Sequence, residues 1–283
     1  MMYRGNTRPL IRVGGCLMLE NKIRDDEGYG CAAVICTTTE TETRSLMQTF
    51  GGTWVPLRRP HDHQRYFETS FIDKHGTEQW VLTCQQDIMG MAAASALATK
   101  VTLVFRPRYL IMCGIAAGIS KIADQVYGDV LVPSEVWDYS TGKVVGPDEA
   151  ELHFGGVGFL PRPQSKRIDP ELKKLIDRLS VPGACEFHVQ TGLLACGTSV
   201  MANQIAIDKR VHALEPTTMG LDMESYGIFL GAESASDPRP KALVIKSVCD
   251  YANELKSDEY QTLAAFTSSR FAEYLLTKEL DYS

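Results

Sequence analysis

Apolar residues along this chain fall into short runs of two kinds, and the two kinds alternate. "CAAVICT" (31–37), "QWVLTCQ" (79–85), "YLIMCG" (109–114) and "KALVIKSVCD" (241–250) are short, largely apolar runs, suited to buried strands. "GDVLVPSEVWDYS" (128–140) and "FHVQTGLLACGT" (187–198) read as longer strands. "ETETRSLMQTF" (40–50) instead sets Leu46, Met47 and Phe50 at helical spacing, and Gly51-Gly52 stops it. The Ala-rich stretch 90–105 predicts a helix ending ahead of Pro107, and 169–179 a helix opened by Asp-Pro. Residues 202–214 and 224–232 read as two more helices, and 258–280 as a closing amphipathic one. Such alternation predicts an α/β fold, with a central mixed, mostly parallel sheet and helices on both faces. No repeat, low-complexity tract or linker divides residues 31–283, so one domain is expected there. Residues 1–30 sustain no period and are expected to form an N-terminal extension, a candidate for disorder.

Composition narrows the function classes. At 283 residues and 44% hydrophobic the chain can bury a full core. A net charge of −6 argues against a nucleic-acid binder. No stretch reaches the roughly 18 uninterrupted apolar residues of a membrane span, and the N-terminus lacks the apolar core of a signal peptide. A cytoplasmic protein is expected. Of its eight cysteines, Cys36, Cys113, Cys196 and Cys249 sit in or beside apolar runs, where a free thiol behaves as a small core residue. No cysteine or histidine spacing suits zinc, and His61-x-His63 reads as an exposed loop pair. Reduced thiols and no metal are the expectation.

In sheets of this kind, ligands bind beyond the carboxyl ends of the strands. Glu42, the "CGIAAG" turn (113–118), "CGTSV" (196–200) and Asp250 all fall there. Glu224 poses a sharper question, because it stands between Met223 and the largely apolar run from Tyr226 to Leu230. A buried carboxylate without a partner costs on the order of several kcal/mol. Either a neighbouring donor, such as a core arginine, satisfies Glu224, or a ligand does.

"TTTETETRSL", "CGIAAGI", "GDVLVPSEVWDY", "CGTSV", "GLDMESYG" and "VIKSVCDYAN" resemble, in order and spacing, the purine nucleoside phosphorylase/uridine phosphorylase superfamily. The nearest branch is similar to the methylthioadenosine/S-adenosylhomocysteine nucleosidases, and the likeness runs from about Cys31 to Leu276. It implies a nucleoside phosphorylase-like single domain and cleavage of a purine N-glycosidic bond, with adenine as the expected base. It implies that Glu224 accepts hydrogen bonds from the ribose 2′- and 3′-hydroxyls and that Met223 packs against the sugar or base. Asp250 would be the general acid at N7 of the purine. Cys249 stands where the family usually has Ser or Asn, which leaves the orientation of Asp250 open.

The resemblance also bears on the nucleophile. Phosphorylases of this superfamily carry Arg and Ser where this chain has Met112 and Ile115, neither of which can hold a phosphate through its side chain. The hydrolytic branch places a water-activating Glu after the first strand. Glu42 fits that place, with Glu40 the alternative if the alignment slips by two residues. Hydrolysis is therefore expected over phosphorolysis, although Lys246, where the family often has Arg, could still contact an anion. No cofactor is implied.

Val200 and Met201 could form a wall of the base pocket or ordinary core, and Ile115 and Cys249 would also line the substrate. Arg58, Arg59 and Arg162 are candidate phosphate contacts on two basic segments (54–67 and 158–167). If these reach the pocket, AMP or ATP is the substrate and the chain resembles nucleotide-destroying defence effectors; otherwise they are solvated loops. The family's habit implies a homodimer or higher homo-oligomer. A non-catalytic nucleoside-binding module is the alternative of another class, and the joint presence of Glu42, Glu224 and Asp250 argues against it.

Overall fold

The computed structural model describes residues 12–13, 16–17, 28–50, 53–119, 125–149, 153–154, 157–254 and 257–282. Most of the expected N-terminal extension lies outside the described residues, as does the Gly51-Gly52 helix stop. The chain forms a large mixed sheet with helices on both faces, the α/β architecture that the alternation of runs predicts.

The sheet is built outward from β1 (Cys31–Thr37). It continues through β2 (Val55–Leu57), β3 (Tyr66–Ile72), β4 (Glu78–Gln85) and β5 (Pro107–Gly118). β6 (Val130–Leu131) and β7 (Glu135–Asp138) follow, and β8 (Gly142–Val145), β9 (His153–Phe154) and β10 (Val157–Pro161) form a small separate antiparallel sheet. The main sheet then takes β11 (Gln164–Arg167), β12 (Val189–Gln190), β13 (Leu193–Cys196), β14 (Thr218–Asp222) and β15 (Lys241–Asp250). Its spatial order is β11-β7-β13-β14-β5-β1-β4-β3-β2, with β15 pairing β5 and β6. Pairing is parallel among β15, β5, β1 and β4 and antiparallel at the β2–β3 and β11 margins.

β5 organises the rest. Along one edge it pairs β15 from Tyr109 to Ala117. Along the other it pairs β1 from Pro107 to Met112 and then β14 at Ala117 and Gly118. That leaves a gap around Gly114 and Ile115 where neither strand covers the edge. Helices α1 (Glu40–Thr49) and α6 (Gln261–Tyr274) pack on one face of the sheet, α2 (Met91–Phe105) and α5 (Ser225–Glu233) on the other; α3 (Pro170–Leu179) and α4 (Gln204–Ile207) complete the set. α2 and α5 approach closely because Gly227 lacks a Cβ, which would lie 2.2 Å from the Met91 carbonyl oxygen.

Several expectations need correction. "GIAAG" (114–118) is strand, not turn: its small residues let neighbours crowd β5 on both sides. The single strand expected over 128–140 is two, interrupted at Pro133, which has no N–H for a ladder. Residues 187–198 likewise divide into β12 and β13 around Thr191-Gly192. The segment 54–67 is not a plain loop. β2 and the start of β3 occupy its ends as an edge pair, which tolerates Pro56, and only 58–65 remain as connection. The helix expected over 202–214 is one α-turn capped by Asn203, then a wider π-turn at Asp208–His212.

Candidate active site

Glu42 owes its position to the start of α1. Thr39 caps the helix and forms a capping box with Glu42, so the carboxylate turns back across the end of β1. Its Oε2 accepts the N–H groups of Thr38 (2.7 Å) and Thr39 (2.8 Å). Its Oε1 accepts the N–H of Ile115 (2.9 Å), in the uncovered gap on β5. The carboxylate is buried, with 3% of the residue exposed. A Cβ on Gly114 would lie 2.2 Å from Oε1, so only glycine leaves room for it there. Three backbone donors converging at one spot form an anion cradle, and the chain's own carboxylate fills it. Two carboxylate oxygens offer about four acceptor positions, so one remains for a further donor such as water. Glu40, by contrast, is exposed and ion-paired with Arg44.

Glu224 is the N-cap residue of α5, but its side chain does not cap the helix. Oε1 instead accepts the N–H of Gly90 (2.9 Å), and Oε2 lies 3.7 Å from Lys246 Nζ. Glu224 thus has a charge partner within the chain: the buried cation opposite it is Lys246, from β15. Lys246 is fully buried and is also 3.2 Å from Asp222 Oδ2, at the end of β14. Asp222 in turn accepts from the N–H (3.1 Å) and hydroxyl of Ser225. Burial lifts the Glu224 carboxyl above its ordinary range; Lys246 opposes the shift and Asp222 adds to it. Burial acts to lower the Lys246 ammonium, yet Asp222, Glu224 and Glu42 together hold it above its usual 10.5. Lys246 is therefore the cation at the centre of three carboxylates.

Breaking such a buried constellation costs more than its net worth, because charges are left unpaired. Lys246→Met is expected to destabilise the fold by about 3–5 kcal/mol at neutral pH, measured by denaturant unfolding. The sign with pH follows from the raised ammonium. Its stabilisation is complete below 10.5 and is lost as pH climbs through the folded value, so the gap between parent and variant should narrow in alkali.

Asp250 closes β15. The ladder to β5 shifts register between Val248 and Asp250, so Cys249 sits in an irregular step that re-aims the next side chain. Asp250 Oδ1 accepts the N–H of Ala252 (2.7 Å), and the Cys249 thiol donates to Oδ2 at 3.3 Å. The same thiol lies 3.4 Å from the Ala116 carbonyl. Ala252, at φ +53°, takes the left-handed conformation that turns the chain immediately afterwards. It packs with Ile119, Trp137, Tyr139, Met201 and Leu221 in a small apolar cluster beside Asp250. Met201 is thus buried next to the Asp250 turn, whereas Val200 is 56% exposed and Met223 half-buried.

The arginines stand apart from this cluster. Arg58 and Arg162 are exposed, and the Arg59 guanidinium lies over the Phe105 ring, 5.4 Å from its centroid. None of their side chains is bonded to Glu42, Glu224 or Asp250 among the described residues. The 58–65 loop does lie at the carboxyl end of β4, where Gln64 donates to the Gln85 carbonyl (2.8 Å), and Asp62 ties it to Lys100 of α2. Among the described residues no group of His, Cys, Asp and Glu is arranged to hold a metal ion.

Residues 32–276 match the family profile described as the phosphorylase superfamily. The chain belongs to that superfamily. Among curated proteins it is 28% identical over 261 residues to the uncharacterized protein y4jS of Sinorhizobium fredii, covering 86% of this chain and 60% of the relative. It is 23% identical over 274 residues to a death domain-containing ATP nucleosidase of Amphimedon queenslandica, covering 91% and 50%. The chain therefore spans half to three-fifths of the length of these relatives. Among solved structures, the 5′-methylthioadenosine/S-adenosylhomocysteine nucleosidase of Neisseria meningitidis, in complex with methylthio-immucillin-A, superposes with a TM-score of 0.65. That match is at 17% identity and covers 85% of this chain and 96% of the other, a likeness of fold. The superfamily's single α/β domain agrees with the sheet described above.

Sequence reasoning missed Asp222, Gly90 and Gly114 as parts of this site. Asp222 had a signal, two residues before Glu224 and ending an apolar strand. Gly90 contributes only a backbone N–H and Gly114 only an absent side chain, which a single sequence does not reveal.

Proposed function

We propose that this protein hydrolyses the N-glycosidic bond of a purine nucleoside or nucleotide and releases the free base, with adenine the preferred one. The observation that carries this reading is the Glu42 carboxylate in its three-amide cradle. An inorganic phosphate nucleophile would need just such donors, and Glu42 both occupies them and repels a dianion. With Met112 fully buried and apolar beside it, the cradle favours water over phosphate.

The chemistry then follows from placement. Asp250 supplies or relays a proton to N7 of the base, making it a neutral leaving group. The C1′–N9 bond breaks with its electron pair going to the base, and positive charge develops on the sugar. Glu224 and Asp222 lie in the same buried cluster as Glu42, and their carboxylates favour that charge electrostatically. Glu224 holds the ribose 2′- and 3′-hydroxyls, exchanging the Gly90 N–H or sharing its acceptor capacity with it. Water donates a proton to the free acceptor position of Glu42 as its oxygen bonds C1′. Met223, Ile115, Cys249 and Met201 line the substrate around these groups, with Val200 at the exposed rim.

The 5′ substituent sets the substrate within this class. The 58–65 loop, with Arg58 and Arg59, lies at the strand ends that carry the site and supports a nucleotide with 5′ phosphates, as does the relation to an ATP nucleosidase. Arg162 would join them from β10's end. Base release from methylthioadenosine, adenosine, inosine, AMP and ATP, followed by liquid chromatography, tests both points. Release of adenine from at least one adenine substrate is expected. Failure with all of them would contradict the proposal.

We further read the protein as a cytoplasmic homo-oligomer, a dimer or larger. Cys36 and Cys84, buried as free thiols in hydrogen-bond contact with sulfurs 4.0 Å apart, support a reducing compartment. The outer face of α2 with Leu230 and the preceding Ile88 and Met89 presents exposed apolar side chains that a second copy would cover. No helix among the described residues is long and apolar enough to cross a membrane.

A further inference from the structure

Two polar side chains at the carboxyl ends of β1 and β4 are buried without a hydrogen-bond partner among the described residues. Gln86 is 2% exposed, and neither its Oε1 nor its Nε2 is hydrogen-bonded. Thr38 is 8% exposed, and its Oγ1 is likewise unpaired. Native proteins rarely bury a whole carboxamide unsatisfied, and where they do a ligand or water is the usual partner. Their locations are not independent. β1 and β4 pair in register up to Thr37↔Gln85, and the Gln86 N–H bonds the Thr37 carbonyl (2.9 Å). Thr38 and Gln86 therefore stand side by side, one residue beyond the ladder. Thr38 also donates its own N–H to Glu42 Oε2.

The faces agree as well. Thr37 and Gln85 both reach Thr43 of α1, so their side chains lie on the α1 face. By the two-residue period of a strand, Gln86 falls on the opposite face, with Cys84 and Cys36, whose sulfurs meet there. On β5, Cys113 reaches Ser269 of α6, on the α1 face, so the missing Cβ of Gly114 points to the same opposite face as Gln86. Glu42 Oε1 fills the place of that Cβ. Continued along the strand ends, the register sets Lys246, Gly114 with the Glu42 carboxylate, Thr38 and Gln86 in one row across β15, β5, β1 and β4.

We propose that Gln86 and Thr38, with Glu42, form the seat of the attacking water, Gln86 and Thr38 fixing its orientation; the proposal rests on the hydrolytic reading. A water has two protons to give and two lone pairs to use. Glu42 Oε1 takes one proton and Gln86 Oε1 the other. The Thr38 hydroxyl or the Gln86 amide donates to one lone pair. The remaining lone pair is left for C1′. As the oxygen bonds C1′ and the C1′–N9 pair leaves with the base, the proton facing Glu42 transfers to it. The proton on Gln86 stays with the new sugar hydroxyl.

Gln86→Leu and Thr38→Val, compared with the parent in phosphate-free buffer, test this. The expected result for Gln86→Leu is a fall in kcat of about 10²-fold with KM nearly unchanged. Its Tm should be at or above the parent's, because an unpaired buried amide has been removed. Methanol adds a readout that a packing role would not move. It has one O–H proton, so the parent seat should reject it, and Gln86→Leu should give a several-fold larger share of methyl riboside relative to free sugar. Thr38→Val should lower kcat in the same direction, keeping the question open to refutation if the Leu variant fails to fold. Unchanged kcat and methanol share in both variants would overturn the proposal, as would a raised KM with unchanged kcat, which would mark a sugar-binding role. A parent that releases base only with phosphate would overturn the hydrolytic reading itself, a distinct result.

Discussion

Asp250→Asn is expected to lower kcat for base release by about 10²–10⁴-fold while the protein stays folded. The substitution is nearly isosteric. Its amide oxygen can still accept the Ala252 N–H that Oδ1 accepts now, so the left-handed turn at Ala252 keeps its anchor. What is lost is a group able to carry a proton to the leaving base. Because the side chain is 3% exposed and set beyond an irregular step at Cys249, no neighbouring carboxylate can take its place without rebuilding β15. The measurement is steady-state base release beside the thermal melt. A variant with the parent's Tm and kcat within about tenfold of the parent's, against the usual size of such terms, would remove Asp250 from the chemistry.

Gly114→Ala should be nearly as damaging, by a different route. The new methyl would lie 2.2 Å from Glu42 Oε1 and 2.6 Å from its Cδ. No real contact is that short, so the carboxylate must leave the Ile115 N–H. The clash is with the end of a side chain, not with backbone, so the sheet itself can survive. Loss of a placed general base predicts a fall of about 10²–10⁴-fold in kcat, together with a fold that still melts cooperatively. Retained activity would mean that Glu42 works from another position, or not at all. The pair of variants separates the two ends of the proposed reaction, the leaving base through Asp250 and the nucleophile through Gly114 and Glu42.

Much of this architecture was legible in the sequence, for reasons that the exceptions clarify. β1, β4 and β15 were readable because strands buried on both faces are written as short, largely apolar runs. α1 was readable from the helical spacing of Leu46, Met47 and Phe50. β14, "TMGLD", was not, because Gly220 and Asp222 dilute a run buried by its neighbours, β13, β5 and Trp137 among them. "GIAAG" misled in the opposite sense: small residues usually signal a turn, but on β5 Gly114 makes room for Glu42 and Gly118 for Gln125 and Val248. The candidate carboxylates were named through the family resemblance, which left Glu42 and Glu40 open; the burial and the cradle that favour Glu42 come from the fold. Lys246 is the instructive case. The sequence offered it as an anion contact, and the fold surrounds it with Asp222, Glu224 and Glu42, whose positions depend on two separate strand ends, those of β14 and β1.

In the proposed reaction water rather than phosphate attacks the sugar, because Glu42 fills the cradle that a phosphate would need. Base release from an adenine substrate is measured with and without inorganic phosphate, with any sugar 1-phosphate detected by phosphorus-31 NMR and the hydrolysed sugar by its reducing end. The account predicts the same rate in both buffers, free sugar as the product and no sugar 1-phosphate. Release that requires phosphate and yields sugar 1-phosphate would contradict it.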